Sequence, residues 1–136
     1  TLGIPGIAIS FASRDAELLP RYQDIVDNLV RKITEVESFP PDMVLNINLP
    51  GVPPEEVKGI RVTKLGSRHF TESLMTMKDP WGREVFWIGG GSITWTGRAD
   101  SDNEAVEQGY VSITPLHMDL TNYPLLETVR GWHLGT

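Results

Sequence analysis

Side chains able to do acid–base, metal or nucleophilic chemistry are few in this sequence and scattered along it. Three histidines, His69, His117 and His133, fall in different segments. None has a local partner at the i,i+4 spacing that a helix-borne metal pair needs, so a surface or interface role is favoured for all three. Carboxylates pair at Glu55-Glu56 and in the loop carrying Asp100 and Asp102. Such pairs bind a divalent cation or serve as acid and base. The macrodipole of a first helical turn already accounts for Glu55-Glu56, and N-capping accounts for Asp102. No Gly-x-Ser-x-Gly elbow seats a nucleophile, and there is no Walker A sequence. Gly89-Gly90-Gly91 offers backbone N–H groups of the kind that hold phosphate, but no lysine or helix follows, which favours a flexible hairpin end. The four tryptophans, Trp81, Trp87, Trp95 and Trp132, can stack on a base or fill an interface, and their place in a hairpin and tail favours the interface.

Composition narrows the classes further. A chain of 136 residues is one ordinary domain's worth. Its 18 acidic and 12 basic residues give a net charge of −6, which disfavours a nucleic-acid partner, because phosphate contacts need a basic surplus. With no cysteine, disulfides and thiolate metal sites are excluded. No apolar run approaches the roughly 20 residues that span a bilayer, and no membrane partner is expected. The sequence opens at Thr1 directly before an apolar segment, which we read as a start downstream of the natural N-terminus.

The elements that must position these residues can be read from periodicity. Residues 7–11 form a continuous apolar run behind a Pro-Gly pair, which predicts a strand buried on both faces. Ser13 and Asp15 give helix-start chemistry. Ile25, Val26, Leu29, Val30, Ile33 and Val36 then recur at spacings of three and four, one stripe of an amphipathic helix. Phe39-Pro40-Pro41 stops it, and residues 43–49 (MVLNINL) predict a second strand. Strand, helix and strand make a βαβ unit. Pro54-Glu55-Glu56 predicts a single helical turn, and residues 58–65 alternate as a strand. Residues 69–77 are ambiguous but can be extended. Asp79-Pro80-Trp81-Gly82 has type I turn chemistry ahead of a strand at 83–88, so a hairpin is predicted. It carries too many aromatics to stand alone in water, and docking on another surface is expected. A short strand at 92–96, a helical turn capped by Asp102 and ended by Gly109, and a strand at 110–114 terminated by Pro115 follow. In the tail, Thr121 or Asn122 caps a helix whose face carries Leu125, Leu126, Val129 and Trp132.

One helix covers one face of a sheet, so two strands expected to be buried on both faces imply further strands and helices outside this sequence. In an open α/β sheet the site lies beyond the carboxyl ends of the strands. Most of those ends are expected to lie in the missing part.

Four stretches together resemble the SurE family of nucleotidases. They are GIPGIAISF at 3–11, LNINLPGVPPEEVKGIRVTKLG at 45–66, REVFWIGG at 83–90 and DNEAVEQGYVSITPLHMDLTNY at 102–123. The resemblance covers essentially the whole chain and corresponds to the C-terminal portion of the family's usual length. It implies a Rossmann-type α/β phosphatase acting on nucleoside monophosphates and, in some members, on short polyphosphate. It also implies a divalent metal, Mg or Mn, held by an Asp-Asp pair after the first strand with a Ser and an Asn from later loops. None of those motifs falls in this sequence, so the resemblance assigns no catalytic or metal residue here. It further implies a hairpin and a tail used in subunit exchange, matching 61–91 and 117–132.

The combined expectation is therefore an α/β chain, the C-terminal part of a Rossmann-like three-layer fold with a βαβ unit, an extended β-hairpin arm and a helical tail. Residues 1–57 would belong to the sheet domain, 58–116 to a hairpin-bearing region with a returning strand, and 117–136 to an oligomerisation tail. The expected function is part of a metal-dependent, cytoplasmic 5'-nucleotidase with a nucleotide substrate, inactive without the upstream half. A non-catalytic assembly module is the alternative. Ser10, at the carboxyl end of the first strand, is a candidate pocket wall, with a turn hydroxyl as the competing explanation. Trp81, Trp87, Asp119, Tyr123 and Trp132 are candidate contacts of a homodimer or homotetramer, and for Asp119 a solvated or capping role competes.

Overall fold

A computed structural model describes residues 3–37, 40–70, 74–88, 93–96 and 99–135. In chain order the strands are β1 (Gly6–Phe11), β2 (Val44–Leu49), β3 (Ile60–Val62), β4 (Ser67–Phe70), β5 (Leu74–Lys78), β6 (Glu84–Ile88), β7 (Ile93–Thr96) and β8 (Val111–Leu116). The helices are α1 (Leu18–Arg21), α2 (Gln23–Thr34), α3 (Asp102–Glu107) and α4 (Tyr123–Arg130), with a 3-10 turn at Pro54–Glu56. None of the helices is long and apolar enough to cross a membrane, among the described residues.

Four strands form one sheet in the order β1-β2-β8-β3. β1 and β2 run parallel around α2, as a βαβ unit requires, while β8 is antiparallel to β2 and parallel to β3. The helical stripe lands as its spacing predicts as far as Ile33: Leu29 and Ile33 are buried, with Ile25 and Val26 partly so, whereas Val36 falls past the end of α2 and is exposed. They meet Leu45, Ile47, Leu49 and Val111 from the sheet. Burying one such aliphatic side chain contributes about 1.5–3 kcal/mol, so this face holds β1, β2 and β8 together. Tyr22, just ahead of α2, is fully buried, and its ring centroid lies 5.2 Å from that of Phe11.

Among the described residues β1 has a neighbour, β2, on one side only, and Ala8, Ile9 and Ser10 are exposed there. The expected burial of β1 on both faces depends on strands and helices outside this sequence. Two expectations are corrected. Pro115 does not terminate β8, which continues to Leu116. β3 stops at Val62 opposite Ile113, so Pro115 lies beyond that pairing and its missing N–H costs no β3 bond. Finally, Ser101 rather than Asp102 caps α3, its side chain accepting from the Glu104 amide.

The hairpin forms as predicted. β5 and β6 pair antiparallel, and the Gly82 amide donates to the Asp79 carbonyl at 2.9 Å. The ambiguous 69–77 stretch belongs to two strands, with β4 paired to β7 below that tip. Gly89-Gly90-Gly91 and Phe39 lie outside the described residues, as do the side chains of His69, Phe70 and Trp95. All of β5 is exposed, as are Trp81, Phe86 and Trp87. The tail helix α4 buries no residue either. Trp132 falls in the turn after it rather than on its face.

Candidate functional site

The sheet has one apolar face and one polar one. Residues opposite in register share a face. Across β1, β2, β8 and β3 one row reads Ser10, Asn48, Ser112, Arg61. The adjacent polar pair is Asn46 with Thr114. These side chains bond one another: Asn48 Nδ2 donates to Ser112 Oγ at 3.2 Å, and the Thr63 and Thr114 hydroxyls lie 2.8 Å apart. Such bonds are needed, because Ser112 and Thr114 are buried and an unpaired buried hydroxyl costs free energy.

At the carboxyl ends of β1 and β2 the connecting loops are clamped together. The Ala12 amide donates to the Leu49 carbonyl at 3.0 Å. Gly51 packs so close to Ala12 that an added Cβ would stand 2.6 Å from the Ala12 carbonyl oxygen, a distance only glycine permits. From below, the Tyr22 hydroxyl reaches the carbonyls of Pro50 at 2.8 Å and Val52 at 2.7 Å. Burial pushes the Tyr22 phenol up, and the nearby Glu55 charge adds to the effect. Glu55 is taken by Arg21 at 2.8 Å. Its own backbone amide, then Arg21, holds its carboxyl below the usual range. Glu55 is therefore part of this exterior staple.

Over the polar row lies α3, which packs on β8 and β2. Asp102, in its first turn, accepts from the Gly66 amide at 2.9 Å and the Asn103 amide at 2.8 Å, both through Oδ1. Asn103 Oδ1 accepts from Ser101 Oγ at 2.7 Å. A Cβ at position 66 would stand 2.2 Å from Asn103 Oδ1, so Gly66 lets the start of the arm pass beside α3. Between α3 and the strand ends opens a cleft of about 190 Å³ lined by Ala12, Asn48, Asp102, Asn103 and Val106. Asn103 Nδ2 is sealed from solvent and has no hydrogen-bond partner.

This arrangement can hold a ligand by hydrogen bonds. Among the described residues it offers no paired nucleophile and base, and no group of three His, Asp or Glu side chains placed to hold a metal ion. Of the residues singled out from sequence, Asp102 lines the cleft. Ser10 stands beside Asn48 in the polar row, exposed, without lining it. Trp81, Trp87, Asp119, Tyr123 and Trp132 lie on the exposed arm and tail and contribute nothing to the cleft. Asp119 serves its own tail: it accepts from the Thr121 amide at 2.8 Å and from the Tyr123 hydroxyl. The Tyr123 bond, with those from Thr121, holds its carboxyl down at about 2. Asn48, Ser112, Asn103 and Tyr22 were not singled out. Alternation of Asn with apolar residues in β2, and of Ser and Thr with apolar residues in β8, was the signal for the first two.

Residues 1–72 match the family described as Survival protein SurE. A 5'-nucleotidase SurE of Gemmatimonas aurantiaca is 50% identical over 134 residues, covering 96% of this chain and 53% of that protein. One from Methylococcus capsulatus is 38% identical over 134 residues, covering 98% of this chain and 53% of its own length. The crystal structure of the SurE protein from Aquifex aeolicus matches with a TM-score of 0.75 at 34% identity, covering 96% of this chain and 52% of that one. The chain thus spans about half the length of the curated relatives it matches.

Proposed function

This chain belongs to the SurE family, and we propose that it works as the C-terminal portion of a metal-dependent 5'-nucleotidase that releases phosphate from nucleoside monophosphates. The observation that carries this reading is the 50% identity, across nearly the whole chain, to a protein bearing that name. The cleft at the carboxyl ends of β1 and β2 agrees with it, because ligands of open α/β sheets bind there. Short polyphosphate is a second substrate class on the same reading, and the cytoplasm is its compartment.

The described residues supply no ligand set for Mg or Mn, so the reading puts metal ligation in the rest of the whole protein and routes no step through the residues here. What this chain contributes is position. Tyr22 and Gly51 fix the loops at the strand ends, and Asn48 and Asp102 bring hydrogen-bonding side chains to the cleft. The remaining strands of the sheet would pack beside β1, where Pro5, Ile7, Ile33, Thr34 and Val36 line an apolar cleft of about 330 Å³.

In the same reading residues 1–57 belong to the sheet domain, 58–116 bear the arm, and 117–136 form an oligomerisation tail. A second copy would cover the exposed apolar residues of β5, β6 and α4, as exchange of identical elements allows. Trp81, Trp87, Asp119, Tyr123 and Trp132 are the proposed contacts of that homodimer or homotetramer. The same exposure supports the alternative, a non-catalytic assembly module. Phosphate release from nucleoside monophosphates by the whole protein, with manganese and then with a chelator, decides between them. Chelator-sensitive release supports the nucleotidase. No release by an assembled protein supports the assembly module.

A further inference from the structure

We infer that the cleft between Asn48 and α3 binds the sugar hydroxyls of the nucleoside rather than its phosphate. This rests on the nucleotidase reading and gives a subsite to one part of the substrate. The cleft's volume is about 190 Å³, below the roughly 300–1,000 Å³ of pockets that take a whole drug-sized ligand, and so suits one ring. Its chemistry is wrong for an anion: Asp102 brings a carboxylate, and no Lys or Arg lines it among the described residues. Its chemistry is right for a vicinal diol. Both bonds accepted by Asp102 fall on Oδ1, so Oδ2 can take a hydroxyl proton. Asn48 spends Nδ2 on Ser112, which leaves Oδ1 as an acceptor. Ala12 and Val106 supply apolar wall for the ring's C–H groups.

The experiment measures binding of adenosine and of 2',3'-dideoxyadenosine to the whole protein by calorimetry. Loss of both hydroxyls should weaken binding about tenfold or more, because the site's polar groups are left unpaired. In Asp102→Asn, which keeps the Oδ1 acceptor but puts a donor where Oδ2 stood, the two nucleosides should bind within about twofold of each other. Val106→Phe, which fills the cleft without touching its polar groups, should abolish adenosine binding while the circular dichroism spectrum stays unchanged. Equal binding of the two nucleosides by the unmodified protein, no nucleoside binding, discrimination that survives Asp102→Asn, or adenosine binding that survives Val106→Phe would each overturn the assignment. Hydrolysis of p-nitrophenyl phosphate, which has no sugar, separates this from the underlying reading. Hydrolysis without nucleoside discrimination sinks the sugar subsite alone, and discrimination without hydrolysis sinks the phosphatase alone.

Discussion

Ile47 in β2 is sealed from solvent, whereas Trp87 in β6 is 64% exposed, although both sit in short strands with strong β-formers. The sheet around Ile47 is covered within the chain, because α2 lays its stripe across one face and α3 sits over the other. Among the described residues, the β5–β6 ribbon of the arm is exposed and α4 is an amphipathic helix that buries none of its residues. Periodicity specifies an element. It does not specify what covers that element. In the sheet the cover lies within the chain; for arm and tail we place it in a second copy.

That contrast can be broken most forcefully by truncating the two regions in parallel. Ile47→Ala should cost about 2–5 kcal/mol of folding stability, through lost burial and the cavity left behind. Trp87→Ala should cost about 0.5 kcal/mol or less under dilute, monomeric conditions. Urea unfolding measures both, and equal costs would end the distinction. Next in size is association: Trp87→Glu should weaken self-association by about 2 kcal/mol or more, read by sedimentation across a concentration series, with the sheet intact. An unchanged assembly would remove Trp87 from the interface. Tyr22→Phe keeps the ring and deletes the hydroxyl that holds the Pro50 and Val52 carbonyls. It should lower stability by about 1–3 kcal/mol in the same urea titration.

The smallest effect is on the tail. The Asp119 carboxyl is held below its ordinary value, at about 2. It therefore supports the tail fully above its unfolded value near 3.8, and that support is lost as pH falls through 2. Tyr123 is shifted the opposite way, raised by the same bond, so its contribution fades as pH rises past its ordinary value of 10.0. Asp119→Asn should remove the acid-side transition in the NMR shifts of α4. A transition that persists in the variant would assign it to another group.

The βαβ unit and the Asp79 turn were legible in the sequence because their signals are local: a stripe at spacings of three and four, and an Asp-Pro-x-Gly run. Ser101 as cap was spelled out by Ser101-x-x-Glu104, and a second plausible cap next to it masked the signal. The cleft was the least legible part. Asn48 and Asn103 lie far apart in sequence, and only the return of β8 beside β2 brings α3 over Asn48. Nothing local marks Asn103, whereas Asn48 belongs to an alternation that indicates a polar sheet face.

On the proposed reading this chain shapes part of a nucleotide site, and the rest of the whole protein completes its catalytic set. Phosphate release from a nucleoside 5'-monophosphate with manganese, measured side by side for residues 1–136 and for the whole protein, tests it most directly. Release by the whole protein and none by the 136-residue chain is the expected outcome. Release by residues 1–136 alone, or none by either, would contradict it.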